Sequence, residues 1–139
     1  MTPEQLEIMI SYRIGQSHET LREAEILFRQ SAFRGAVNRA YYAMFYSVLA
    51  LLAARQMGTS KHTGVLSLFD REFVKTGIFP RELSKSLRVA FDRRQTYDYG
   101  EFVAMDEATS QETLNDANIF VARVENHLRS LGYCNKTVS

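Results

Sequence analysis

The stretch spanning residues 32–57 constrains the fold most, because it is apolar around most of a helical circumference. At about 100° per residue it carries two adjacent apolar stripes and, on the far side, a face of small residues. The first stripe is Val37, Tyr41, Met44, Val48 and Leu52; the second is Asn38, Tyr42, Phe45 and Leu49; the small face is Ala36, Ala43, Ser47, Ala50 and Ala54. Such a helix must be covered on several sides. We therefore expect it at the centre of a bundle, with its small face against a backbone of the same chain or of a partner subunit.

Four further helices are predicted from apolar residues at helical spacing. They should span residues 3–30, 61–74, 80–99 and 106–131, and the last should bury Leu131. Thr2 and Gln5 have the spacing of a capping box, Gly58 is the expected end of the second helix, and Thr59-Ser60 should cap the third. No segment shows the alternation of a strand. The predicted fold is an all-α, antiparallel up-and-down bundle of about five helices, with residues 1–132 as one domain and 133–139 as a polar tail.

Charge excludes some classes of function. With 17 basic and 16 acidic side chains in 139 residues, the net charge is +1, so the whole chain does not produce the field of a dedicated nucleic-acid binder. The charge is uneven, however: residues 61–99 carry a net +3 and residues 100–139 a net −3. Two differently charged helix faces explain this pattern, and a basic strip for RNA phosphates is the alternative.

The single cysteine, Cys134, excludes a disulfide within one chain and favours a reducing compartment. The N-terminus has no apolar signal core. The longest apolar run, residues 40–54, is shorter than the roughly 20 residues that a membrane span needs. We therefore expect a cytoplasmic protein that does not span a membrane.

Arg94 is the most informative charged residue. It follows Leu83 by eleven positions and so extends the apolar stripe of Leu83, Leu87 and Phe91. A guanidinium on a buried stripe needs an acceptor, and Asp98 is one turn away. One interpretation is a structural arginine that pairs with Asp98 or reaches solvent at the helix end. The other is an arginine in a cleft that holds phosphate through two hydrogen bonds.

Asn38 and Tyr42 are polar groups one turn apart on the apolar second helix. Tyr42 is typical of a packing residue with a solvated hydroxyl, whereas Asn38 is expected to hydrogen-bond to another helix. The histidines, His18, His62 and His127, do not have the spacing of metal ligands, so we predict no metal and no cofactor. His62, at the start of the third helix, is interpreted as a capping or surface residue rather than a catalytic one.

Four segments taken together resemble a known group of proteins. They are residues 38–45 (NRAYYAMF), 61–69 (KHTGVLSLF), 73–77 (FVKTG) and 94–100 (RQTYDYG). In order and spacing they are similar to the prokaryotic HEPN domains, specifically the UPF0332 branch, and the resemblance covers about residues 6–131. It implies an antiparallel bundle that forms a homodimer with a cleft at the dimer interface. It also implies a partner, because many HEPN proteins are encoded beside a minimal nucleotidyltransferase as a toxin–antitoxin pair.

HEPN members with arginine and histidine separated by four to six residues act as metal-independent ribonucleases. Here Tyr99 stands in the histidine position relative to Arg94, and Asp98 stands in that position relative to Arg93. A tyrosine is a poor general base and an aspartate a poor general acid at neutral pH. In related toxins a tyrosine of this motif region receives AMP, which makes Tyr99 a candidate for modification.

Three functions stay open from the sequence. The first is a toxin–antitoxin protein that binds a nucleotide or nucleic-acid phosphate through Asn38, Tyr42 and Arg94 and docks a nucleotidyltransferase. The second is an endoribonuclease that uses Arg94 with Tyr99 or Asp98. The third is a dimeric scaffold without catalysis.

Overall fold

The described part of the chain is built from five α-helices, and the apolar helix that the sequence places at the centre is one of them. A computed structural model describes residues 1–59, 61–99 and 104–135, and of residues 97–99 the backbone alone. The helices are α1 (Pro3–Arg29), α2 (Phe33–Ala54), α3 (His62–Phe69), α4 (Arg81–Tyr99) and α5 (Glu107–Ser130). No strand occurs among these residues, so the all-α prediction is confirmed. None of the helices described is long and apolar enough to cross a membrane.

The central position of α2 follows from its apolar circumference. Every member of its first stripe is at most 1% exposed. The small-residue face is also buried inside the single chain, with Ala36, Ala43 and Ala50 all 0% exposed. This face therefore meets other helices of the same chain. Helices α1, α3, α4 and α5 all pack on α2, so four neighbours cover the helix.

The two long outer helices begin with side-chain caps. Thr2 Oγ1 accepts from the Gln5 amide at 3.1 Å, and Gln5 Oε1 accepts from the Thr2 amide at 2.9 Å, which confirms the capping box. Asp106 accepts from the Thr109 amide at 2.6 Å and caps α5 in the same way.

Three helices end in the same left-handed turn. In each, the second residue after the helix has a positive φ: Ser31 at 59°, Gln56 at 53° and Gly132 at 95°. The next amide donates back to a helical carbonyl, as Met57 does to Leu52 at 2.9 Å. This is the Schellman arrangement. The expectation that Gly58 ends α2 was wrong, because the helix ends earlier and Gln56 takes the position that glycine usually fills.

The predicted burial of Leu131 was also wrong, since this residue is 56% exposed. It lies just past the end of α5, where the chain reverses at Gly132. The following Tyr133 and Cys134 pack against the core instead.

The third predicted helix changes geometry halfway. After α3 the chain continues as one π-helical turn, Asp70–Val74, in which the Lys75 amide donates to the Asp70 carbonyl at 2.8 Å. The N-cap position of α3 is Lys61, whose side chain makes no capping hydrogen bond. Thr59 Oγ1 accepts from the Lys61 amide at 3.4 Å, and Ser60 lies outside the described residues. Helix α4 begins directly after Pro80.

The left-handed turns lead to a stability prediction. A residue with a Cβ pays roughly 1 kcal/mol for a left-handed conformation that glycine adopts freely. We expect Gln56→Gly to raise the free energy of unfolding by about 1 kcal/mol. Gly132→Ala is the matched opposite change and should lower it by a similar amount. Urea unfolding followed by circular dichroism measures both, and a destabilised Gln56→Gly variant would contradict this account of the turn.

Candidate functional site

Tyr41 is the centre of a cluster of polar and aromatic side chains between α2, α3 and α4. It is 0% exposed, although it carries a hydroxyl. Its ring contacts Tyr42, Phe45 and Phe91, with centroids 5.2, 5.9 and 5.7 Å away. Its hydroxyl lies 3.1 Å from Nδ1 of His62, so the polar group is satisfied within the protein.

Arg94, the leading candidate from the sequence, faces this cluster. Its guanidinium carbon lies 5.2 Å from the centroid of the Tyr42 ring and 5.8 Å from that of Tyr41. These are distances at which a cation is attracted to the face of an aromatic ring. The residue is half-buried on α4, beyond the buried Leu83, Leu87 and Ala90. The stripe on which the sequence placed Arg94 is therefore the face of α4 that packs on the core.

The neighbouring Arg93 contacts α5 instead of the tyrosine cluster. One of its terminal nitrogens donates to Thr113 Oγ1 at 2.8 Å, and the other pairs with Glu112 at 2.8 Å. Both partners belong to α5. Arg93 thus ties α4 to α5, and only Arg94 of the two arginines reaches the tyrosines.

Asn38 joins the cluster through Arg39. The Asn38 side-chain oxygen accepts from Nε and from a terminal nitrogen of Arg39, at 3.0 and 2.8 Å. The Arg39 guanidinium carbon lies 5.1 Å from the Tyr42 centroid, so Tyr42 is in contact with two arginines. Glu23 of α1 lies 3.8 Å from Arg39 and balances part of this charge.

His62 is the residue that the sequence interpretation undervalued. Its ring stacks on Phe45, with centroids 4.3 Å apart and an angle of 18° between the planes. The same ring contacts Tyr42 edge to face at 5.7 Å. Either the Tyr41 phenol donates to Nδ1 or the imidazole donates to the phenol oxygen, depending on the tautomer. A histidine therefore lies in the arginine cluster even though none follows Arg94 at the motif spacing.

Burial and the Arg94 charge decide the protonation of the cluster. Burial raises the pKa of Tyr41 above its usual value, and the Arg94 cation opposes this in part. Partial burial lowers the pKa of His62, and the Arg94 cation lowers it further. At neutral pH the phenol is therefore protonated and the imidazole is neutral.

Two of the predicted site residues have a described backbone but no described side chain. The side chains of Asp98 and Tyr99 lie outside the described residues, so their roles stay predictions. Of the side chains that the structure describes, no group of three His, Cys, Asp or Glu is arranged to hold a metal ion.

Tyr41, Arg39 and His62 were not among the predicted site residues. Tyr41 fits the apolar stripe of α2, and its buried hydroxyl gives no signal in the sequence. His62 precedes Arg94 by more than thirty positions, and the packing of α3 and α4 on α2 and on each other brings the two together. The sequence signal for this part of the cluster was the pair of tyrosines at 41 and 42 close to Asn38 and Arg39.

Comparisons with known proteins identify the family. The HEPN domain family matches residues 10–127. A "UPF0332 protein" of Thermotoga maritima is 41% identical over 125 residues, covering 90% of this chain and 95% of its own. Two proteins of Methanocaldococcus jannaschii, "Putative toxin MJ0142" and "Putative toxin MJ0605", are 33% and 32% identical, covering 84% and 83% of this chain and 80% and 85% of theirs.

The arrangement therefore belongs to a helical domain of the HEPN class. This chain is a member of the HEPN domain family and is similar to its UPF0332 proteins.

The electrostatic coupling of Arg94 and His62 can be measured directly. We expect Arg94→Gln to raise the pKa of His62, because a cation that disfavours the imidazolium is removed. The pKa should stay below the ordinary value of about 6.5, since burial remains. A histidine titration followed by NMR reports this shift. His127 is the internal control, because its pKa is lowered by burial and by Arg55, and it should not move; an unchanged His62 would contradict the proximity.

Proposed function

We propose that this HEPN protein is a toxin–antitoxin component that binds a phosphate of a nucleotide or nucleic acid at the cluster of Arg94, Tyr42 and Asn38. The observation that carries the proposal is the position of the Arg94 guanidinium over two tyrosine rings on a half-buried helix face. The toxin names of two relatives support the biological setting.

The chemistry of the cluster suits a phosphate. A guanidinium stacks on aromatic rings through its face, and it binds phosphate oxygens through the N–H groups at its edge. Stacking therefore orients Arg94 without using the donors that an anion needs. Arg39 brings a second cation to the same tyrosine. A charge-assisted hydrogen bond is also stronger in a partly buried site than in water, because screening is weaker.

Nucleotide binding is tested by thermal unfolding. We expect adenosine 5′-monophosphate to raise the melting temperature of the wild-type protein by several degrees at saturating concentration, since a ligand at about 100 times its Kd contributes about 2.7 kcal/mol. The Arg94→Gln variant should lose this shift.

Arg55→Gln is the matched control. Arg55 also lies over an aromatic ring, with its guanidinium carbon 4.4 Å from the Phe73 centroid, but it is not part of the cluster. This variant should keep the full ligand-induced shift. Equal shifts in both variants would mean that the nucleotide binds away from Arg94 and would contradict the proposed site, and no shift in the wild type would leave a scaffold role as the better explanation.

Metal-independent RNA cleavage is a second candidate function, and the position of His62 favours it. A neutral imidazole can take the proton of an RNA 2′-hydroxyl. The 2′-oxygen would then bond to phosphorus, the bond to the 5′-oxygen would break, and water would supply the proton to that oxygen. Arg94 would stabilise the charge on the phosphate. In this form the enzyme hypothesis uses His62 rather than Asp98 or Tyr99 as the base.

The cleavage hypothesis predicts that two separate substitutions each reduce RNA cleavage. With a chelator present, His62→Ala should reduce the rate of RNA cleavage by roughly 100-fold or more, as loss of a general base does. Arg94→Ala should reduce it to a similar extent. His127→Ala should cleave like the wild type, because this imidazole packs against Phe79. Wild-type protein that leaves RNA intact would exclude this function.

Homodimerisation and a nucleotidyltransferase partner complete the proposal. Both rest on the HEPN resemblance. Because the small-residue face of α2 is buried within one chain, a second subunit would have to use another surface. Tyr99 would be the residue that the partner modifies. Sedimentation of the protein alone, and mixed with a minimal nucleotidyltransferase, measures both associations.

A further inference from the structure

A basic groove lies on the side of α4 that faces away from the tyrosine cluster. It is formed by α4 and the π turn and has a volume of about 650 Å³. Four cationic side chains line it, Lys75, Arg81, Lys85 and Arg88, against a single carboxylate, Asp70. All four cations are exposed.

The backbone explains why these four side chains converge. Arg81, Lys85 and Arg88 follow one another at spacings of four and three residues, which places them on one face of α4 over about 10 Å. Lys75 enters from the π turn. The hydrogen bond from its amide to the Asp70 carbonyl brings residue 75 closer in direction to residue 70 than an α-helix would, where these positions lie about 140° apart.

The groove keeps a net positive charge. Asp70 is already engaged, since it lies 3.7 Å from Lys75 Nζ and accepts from Ser84 Oγ at 3.0 Å. Among the described side chains, Arg81, Lys85 and Arg88 take part in no salt bridge. Three cations on one face therefore repel each other, and an anion with several charges would relieve this repulsion.

The lining of the groove indicates the kind of anion. Its apolar residues are only Val74 and Val89, and no aromatic side chain lines it. A protein partner is usually anchored by aromatic or large apolar side chains in a pocket, which this groove does not provide. Phosphates need only closely spaced cations, and without aromatic rings the bases would not be stacked or read.

From these features we infer that the groove binds the phosphodiester backbone of a polynucleotide without sequence preference. It is separate from the Arg94 cluster, because Arg94 lies about 120° around α4 from Arg88. The inference goes beyond the proposed function, and either can fail without the other.

The test compares two double variants that remove the same charge. The groove variant, Lys85→Ala with Arg88→Ala, removes two of the four cations that line the groove. The control variant, Arg22→Ala with Arg123→Ala, removes two exposed arginines on α1 and α5. A fluorescein-labelled oligouridylate of roughly 15 nucleotides is titrated with each protein over a range of salt concentrations, and anisotropy gives the affinity. All four positions are exposed, so circular dichroism should show unchanged folding.

Each phosphate contact on a single strand contributes about 0.7 to the steepness of log affinity against log salt concentration, so removing two contacts should make this slope shallower by about 1.4. The affinity of the groove variant should fall by about 20-fold near 0.1 M salt. The control variant should bind like the wild type. Equal losses in both variants would mean that only net charge matters and would overturn the inference.

Two further outcomes would also overturn it: wild-type protein that does not bind the oligonucleotide, and polyglutamate binding through the groove in place of RNA. The nucleotide-induced melting shift distinguishes the two proposals. The groove variant should keep that shift, and Arg94→Gln should lose it while retaining the salt dependence of RNA binding.

Discussion

The structure depends on the burial of one tyrosine. Tyr41 lies within the core, and its ring contacts α4 through Phe91 while its hydroxyl meets His62 at the start of α3. An unsatisfied hydroxyl at this depth would cost free energy comparable to a lost hydrogen bond, so α3 must begin where His62 can reach it. The same contact places the imidazole among the side chains that Arg94 faces. Packing and polar satisfaction of α2 thus position the candidate site.

Most of the architecture could be predicted because it follows from local rules. The central place of α2 follows from its apolar circumference, and the start of α1 follows from Thr2 and Gln5. The errors occur where the backbone departs from these rules. Gln56 adopts a conformation for which glycine is the usual signal, and the π turn after Phe69 leaves no mark in the spacing of apolar residues. In both places the chain accepts a local cost because the surrounding packing fixes its path.

The candidate site was predicted in part. Arg94 could be recognised because a charge interrupts an apolar stripe, and Tyr42 and Asn38 because they are polar on an apolar helix. His62 could not be recognised, since no periodicity connects the start of one short helix with the end of another. Its role depends on tertiary contacts with Phe45 and Tyr41, which only the folded chain provides.

The two adjacent arginines on α4 limit which insertions, deletions and substitutions this helix can accept. Arg93 and Arg94 point about 100° apart, and one fastens the helix to Glu112 while the other meets the tyrosines. An insertion of one residue between Leu87 and Arg93 would turn Arg93 towards the aromatic rings and Arg94 towards neither partner, and a deletion would turn Arg94 towards Glu112 and leave the tyrosines without it. Substitutions on the solvent side of α4 leave the directions of Arg93 and Arg94 unchanged, whereas changes in its length do not. The distance from Leu87 to Arg94, counted in residues, is therefore a more demanding requirement than the identity of most residues between them.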